Sequence, residues 1–214
     1  MNTYIDSANL NAYATREDIQ KLCEEAKVYH FASVCVNPCY VEYAAELLKD
    51  STVAVDTVIG FPLGANTTMV KSYEAIAAIE AGADEIDMVI NIGALKEKDY
   101  EYVKNEIEEI RDSIDGHTLK VIIETCYLTE EEIAKMTEIC NETFVHFIKT
   151  STGYGTRGAT LEDVEIINKY KSDVLEIKAS GGIRTYEEAS NFLEKGVSRI
   201  GTSQAKAIME GEIQ

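Results

Sequence analysis

Eight alternations of a short β-branched run and a helix-period segment, recurring at intervals of roughly 25 to 30 residues, predict an α/β fold, a single-domain (β/α)8 TIM barrel over residues 1–214. Two further observations favour a closed barrel over an open doubly wound sheet. No antiparallel hairpin signal interrupts the alternation, and the composition is even throughout, with only two prolines and no linker or low-complexity segment. With 214 residues, 45% of them hydrophobic, the chain is short for such a barrel but long enough to enclose a sizeable core.

A weak first strand at Thr3–Asp6 precedes a helix containing Asp18 to Ala26. Strands follow near Ser33–Asn37, Val53–Gly60, Glu85–Asn91, Lys120–Thr125, Val145–Lys149, Leu175–Lys178 and Arg199–Gly201, each bounded by turn residues. Helix starts are chemically marked. Thr129 with Glu132 and Thr185 with Glu188 have capping-box spacing, and Thr15 with Asp18 and Thr160 with Asp163 are weaker versions. Gly82 and Gly196 stand just before strands, where glycine takes the left-handed conformation that stops a helix. The acidic stretches Lys96–Asp115 and Glu130–Glu142 read as solvated outer faces of helices.

Twenty Lys and Arg against 38 Asp and Glu leave a net charge of −18, which repels nucleic acid and anionic lipid, so neither is expected as a partner. No apolar run approaches membrane-spanning length, and Met1–Arg16 is polar without a signal pattern, so a cytoplasmic protein is expected. Five dispersed cysteines with no Cys-x-x-Cys pair read as reduced thiols. His30, His117 and His146 lack metal-ligand spacing, and no metal, cofactor or histidine triad is expected.

Barrel active sites lie at the C-terminal ends of the strands. Lys149 closes the run from Phe144 and Lys178 closes the run from Val174, one strand further on. Period-two alternation groups Phe147 with Lys149 and Glu176 with Lys178. If these faces point inward, two ammonium groups meet, one of them loses its proton more readily, and its neutral amine is a nucleophile toward carbonyls. Outward-pointing lysines, or lysines paired with structural carboxylates, fit the spacing equally well. Asp87 is a carboxylate within Glu85–Ile90 that needs a cationic partner, as part of a site or as a structural ion pair; Asp84 and Glu85 are expected at the helix-to-strand junction. The loops Thr150–Gly153, Ser180–Gly182 and Gly201–Ser203, with Arg184 nearby, suit a phosphate, with tight turning as the alternative. Gly153, Gly155 and Gly158 also match a dinucleotide fingerprint, but they follow Lys149 at once and eight regular units leave no open-sheet crevice.

The segments VCVNPC (34–39), VIGFPLG (58–64), GADEIDMVINIGAL (82–95), KVIIET (120–125), IKTSTGYG (148–155), IKASGGIRT (177–185) and RIGTS (199–203) run through nearly the whole chain. In that order they resemble the deoxyribose-phosphate aldolase family, and the lysine-centred segments are the specific ones. The resemblance implies a metal-free class I aldolase that reversibly cleaves 2-deoxy-D-ribose 5-phosphate to D-glyceraldehyde 3-phosphate and acetaldehyde. It implies Lys149 as the Schiff-base lysine, Lys178 as the second lysine that lowers its pKa, and Asp87 as the acid of a proton relay. Gly153, Gly181, Gly182, Arg184, Gly201 and Ser203 would hold the phosphate, with Thr152 near the sugar hydroxyls, and a homodimer is the expected assembly.

Four positions depart from the family pattern: Asp6–Ser7–Ala8, Cys126–Tyr127, Gln204, and a chain end at Gln214 without the terminal tyrosine of some members. They bear on hydroxyl recognition, the mouth of the fifth strand, one phosphate contact and proton transfer respectively. The competing expectation is a phosphosugar-binding barrel without lyase activity, isomerase-like or a sensor, which explains the glycine loops but not the paired lysines.

Overall fold

The computed structural model describes residues 1–211; the chain end at Gln214, on which one family departure rests, lies outside them. Eight parallel strands close on themselves in chain order: β1 (Ile5–Asn9), β2 (Ser33–Val36), β3 (Ala54–Ile59), β4 (Glu85–Val89), β5 (Thr118–Ile122), β6 (Phe147–Lys149), β7 (Glu176–Ser180) and β8 (Arg199–Thr202). β8 pairs back onto β1 through Ile5–Ile200, Asp6–Gly201 and Ser7–Thr202. The described chain is the expected barrel.

Around it lie α1 (Arg16–Tyr29), α2 (Val41–Leu48), α3 (Thr68–Glu80), α4 (Ile92–Lys96), α5 (Tyr100–Ser113), α6 (Glu130–Glu142), α7 (Leu161–Tyr170), α8 (Tyr186–Glu194) and α9 (Ala205–Gly211). All four threonine caps form, the two weaker ones included: the hydroxyls of Thr15, Thr129, Thr160 and Thr185 each accept the N3 amide while the N3 acid reaches back. Gly82 and Gly196 take left-handed φ values of +101° and +84° at the ends of α3 and α8.

Strand boundaries shift by up to three residues, and three of the differences have a clear local reason. The first strand starts at Ile5 because the Tyr4 amide turns back to the Met1 carbonyl. The Lys96–Asp115 stretch holds the end of α4 and then α5, with Asn91 capping α4 at the Ala94 amide and Asp99 capping α5 at the Tyr102 amide. The fifth strand stops at Ile122, and Glu124 then turns the chain at a left-handed φ of +53°.

Two layers of side chains follow from the period of two. Ile5, Val34, Val36, Ile86, Met88, Val121, Ile148, Ile177 and Ile200 face the helices and form the main hydrophobic cluster. The alternate set includes Asp6, Asp56, Asp87, Lys120, Lys149 and Lys178, all buried. Barrel interiors are ordinarily filled with branched apolar residues. Here a charged layer fills the middle.

Candidate active site

Strand register brings the charges together. Lys149 pairs in register with Lys178, and Asp87 with Lys120. Lys149 Nζ and Lys178 Nζ each donate to the same oxygen, Asp87 Oδ2, at 2.7 Å. The two nitrogens therefore lie no further apart than twice that distance, on one side of the sheet wall. Asp87 Oδ1 accepts from Lys120 at 2.8 Å.

The three lysines are surrounded very differently. Lys178 has Asp6, Asp87 and Asp56 at 2.6, 2.7 and 2.9 Å. Lys120 has Glu85, Asp87 and Asp56 at 2.7, 2.8 and 3.0 Å. Among the described residues Lys149 has Asp87 as its single carboxylate partner, and it reaches the cavity above. Asp6 Oδ2 and Asp56 Oδ1 sit at ion-pair distance from a lysine but off the line of a hydrogen bond. Arg199 closes the layer below, 2.6 Å from Asp6 and 3.1 Å from Glu85.

Burial works against every charge here, and partners decide the outcome. For Lys178 the penalty is overcome by Asp56, Asp6 and Asp87, so its pKa stands well above the usual lysine value. Lys120 is likewise pushed up by Asp56 and Asp87 against burial. Burial would raise the Asp87 pKa, but Lys120, Lys149 and Lys178 hold it well below the carboxylate range; Lys178, Lys120 and Arg199 do the same for Asp6. Asp56 goes the other way, to about 6, because burial and the Asp87 charge outweigh its two lysines.

Above this layer opens a cavity of about 340 Å³ at the C-terminal ends of the strands. It is lined by Lys149, Lys178, Thr152, Gly153, Gly181, Gly182, Arg184, Gly201 and Ser203 among others, so the structure gathers every site residue expected from sequence except Asp87, which lies beneath its floor. Gly153 and Gly182 have φ of +88° and +82° with open space where a Cβ would stand. Gly201 also makes room for the charged layer: a Cβ there would lie 3.2 Å from Lys178 Cε and 2.9 Å from Ser180 Cβ. The Thr152 hydroxyl donates to Glu124 and accepts the Tyr154 amide, so it first of all shapes its own loop. Gly155 and Gly158, the remainder of the dinucleotide-like match, are packing positions: a Cβ would strike Cys126 Sγ at one and the Gly181 carbonyl at the other.

Sequence reasoning misses five of the eight charged groups of this layer. It places Glu85 with Asp84 at a helix-to-strand junction; Asp84 does cap there, accepting the Val55 amide, but Glu85 opens β4 and faces inward to Lys120 and Arg199. Asp56 and Lys120 carry the signal that singles out Asp87, a charge alternating with buried apolar neighbours in a central strand. Asp6, which the sequence marks only as part of a departure, is a direct partner of Lys178. Glu176, on the Lys178 face by alternation, is exposed at the start of β7. Cys126–Tyr127 forms a short 3-10 turn after β5, and Gln204 is exposed while its amide closes onto Thr202.

A closed parallel barrel with a lightly partnered lysine under a glycine-rimmed cavity defines a class of enzyme that works on carbonyl compounds by amine chemistry. The family model described as DeoC/LacD family aldolase matches residues 2–208, and the chain belongs to that family. It is an aldolase. It is similar to the deoxyribose-phosphate aldolase of Thermococcus kodakarensis, at 57% identity over 97% of this chain and 95% of that one. Similarity to the enzyme of the same name from Streptococcus sanguinis is 52% over 99% and 96%. The solved deoxyribose phosphate aldolase from Aeropyrum pernix, described as a unique tetramer, superposes with a TM-score of 0.93 at 31% identity, covering 100% of this chain and 91% of that one.

Proposed function

We propose that the chain reversibly cleaves 2-deoxy-D-ribose 5-phosphate to D-glyceraldehyde 3-phosphate and acetaldehyde, with Lys149 as the Schiff-base nucleophile and no metal or cofactor. The observation that carries the assignment is the contrast in partners: of the two lysines that line the cavity, three carboxylates hold Lys178 as a cation, whereas Lys149 has one among the described residues. A nucleophilic amine needs its lone pair free and a path to the carbonyl, and Lys178, held as a cation by its carboxylates, does not offer that lone pair.

Neutral Lys149 adds to the C1 aldehyde, and loss of water leaves a protonated imine. That cation accepts the electron pair of the C2–C3 bond as the bond breaks, releasing the phosphorylated aldehyde and leaving an enamine. The proton from the C3 hydroxyl passes to the Asp87–Lys178 pair, which returns one to the enamine carbon; hydrolysis then frees acetaldehyde and Lys149. Asp87 faces both lysine nitrogens through one oxygen, which suits it to relay the proton. Gly153, Gly181, Gly182 and Ser203 offer backbone to the phosphate, Arg184 adds a charge at the rim, and Thr152 and Gly201 hold the surrounding loops. Fixing the phosphate aligns C1 with Lys149.

Borohydride reduction in the presence of acetaldehyde tests this, and a stable adduct on Lys149 is expected by peptide mass spectrometry. Folded protein that binds the sugar phosphate yet yields no adduct would favour the non-lyase binding barrel. Free cysteines and the lack, among the described residues, of a helix long and apolar enough to cross a membrane support a cytoplasmic setting. A homodimer is the assembly we favour, supported by the exposed apolar residues Met69, Tyr73 and Ile76 along one side of α3.

A further inference from the structure

We propose that Asp56 is a positioning residue of the aldol site, whose carboxylate fixes Lys178 and Lys120 beneath Lys149 and supplies the negative charge that balances the iminium formed there. The inference rests on Lys149 being the Schiff-base lysine.

The geometry comes first. Asp56 is fully buried on β3 and divides its oxygens, Oδ2 accepting from Lys178 at 2.9 Å and Oδ1 facing Lys120 at 3.0 Å. It is the bridge between the two lysines that does not also touch Lys149. Among the described residues the interior holds four carboxyl groups, Asp6, Asp56, Glu85 and Asp87, and four basic groups, Lys120, Lys149, Lys178 and Arg199. With Lys149 a neutral amine, the acids exceed the bases by one charge. Imine formation combines amine, aldehyde and one proton to give iminium and water, so the interior gains one positive charge and becomes balanced. Without the Asp56 carboxylate the same step leaves a surplus cation among buried groups, where such a charge is expensive.

Asp56 is also less committed to ionisation than Asp6 or Asp87. Its Oδ1 lacks a hydrogen-bond donor in line, and its pKa is raised to about 6. The charged and titratable groups around it are Asp6 on β1, Cys35 on β2, Glu85 and Asp87 on β4, Lys120 on β5, Lys149 on β6, Lys178 on β7 and Arg199 on β8. Burial and Asp56 itself keep the Cys35 thiol protonated, while Asp6 and Asp87 stay ionised and Lys178 and Lys120 stay cationic. Asp56 changes charge as pH falls through about 6.

The test compares Asp56→Asn with wild type across pH, after trapping has established the Lys149 adduct in wild type. The variant is expected to form the adduct still, with kcat lowered about tenfold at pH 7.5, the size of one lost charge interaction at several ångströms, and KM within about twofold. The ratio of wild-type to variant kcat should close toward one as pH falls below about 6, where the wild-type carboxyl is itself protonated. A ratio that stays constant with pH, or unaltered kcat, overturns the proposal. Asp56→Ala should show the same convergence. Failure of both variants to fold also overturns it, because a carboxyl disfavoured by its own burial should be replaceable by a neutral group. Absence of the wild-type adduct would instead refute the lyase assignment.

Discussion

Lys149 and Lys178 hang from one carboxylate oxygen, yet removing them should have opposite structural consequences. Lys149→Leu leaves Asp87 with Lys120 and Lys178, so the fold should survive with trapping and turnover abolished. Lys178→Leu strips one shared cation from Asp6, Asp56 and Asp87 and should cost about 3–5 kcal/mol of unfolding free energy in urea titrations, as broken buried pairs do. Equal stability losses would contradict the contrast on which the choice of nucleophile rests. The carboxyls behave oppositely with pH. Asp6 and Asp87 have depressed pKa values, so they stabilise the fold above the ordinary carboxylate range and that stability is lost as acid protonates them. Asp56 is raised, so the folded state holds its proton more tightly and its contribution is lost as pH rises from the ordinary carboxylate value through about 6. Asp56→Asn should therefore raise Tm relative to wild type at pH 8, with the gain shrinking at pH 5. A gain that grew on acidification would reverse the sign of the argument.

At the scale of elements, the loops after β6 and β7 meet through glycine. Gly158 lies so close that a Cβ would stand 1.9 Å from the Gly181 carbonyl, and a Cβ on Gly181 would lie 2.9 Å from Gly158 Cα. Neither neighbour is a flexible side chain, so backbone must move. Gly158→Ala should displace the Gly181–Gly182 turn and raise KM for the sugar phosphate about tenfold or more, while adduct formation with acetaldehyde, which carries no phosphate, is retained. Equal loss with both ligands would remove the loop from phosphate binding. Much at this scale is legible from sequence: threonine caps, stop glycines and β-branched runs act through local chemistry, and all four caps form. What is illegible depends on contacts distant in sequence. Lys71 on α3 is buried against Glu106 on α5 at 2.9 Å and donates to the Val89 carbonyl, and nothing in the local sequence separates it from a solvated helix lysine. The inward turn of Glu85 is similar, since its cationic partner Arg199 lies more than a hundred residues away.

At the scale of the molecule, closure explains why the charged layer is only partly visible in the sequence. Lys149, Lys178 and Asp87 are legible because each stands in a short apolar run, but Asp6, Asp56 and Lys120 become their partners, and Arg199 that of Asp6, only when eight strands curl around a common axis. The outer surface poses a different problem. A net charge of −18 makes copies of the chain repel one another, while Met69 and Tyr73, each 75% exposed, lie one helical turn apart on α3. Burying such side chains on association is worth roughly 1.5–3 kcal/mol each, and salt screens the opposing charge within about 10 Å at 0.1 M. Self-association through this face should therefore strengthen as salt rises, the reverse of an interface held by ion pairs. Sedimentation velocity should show a dimer that persists in high salt and dissociates in Met69→Lys/Tyr73→Lys, with Lys149 trapping unchanged in the separated chains because α3 contributes nothing to the cavity lining. A monomer at every salt concentration, or a dimer indifferent to the double substitution, would leave the α3 face without this role.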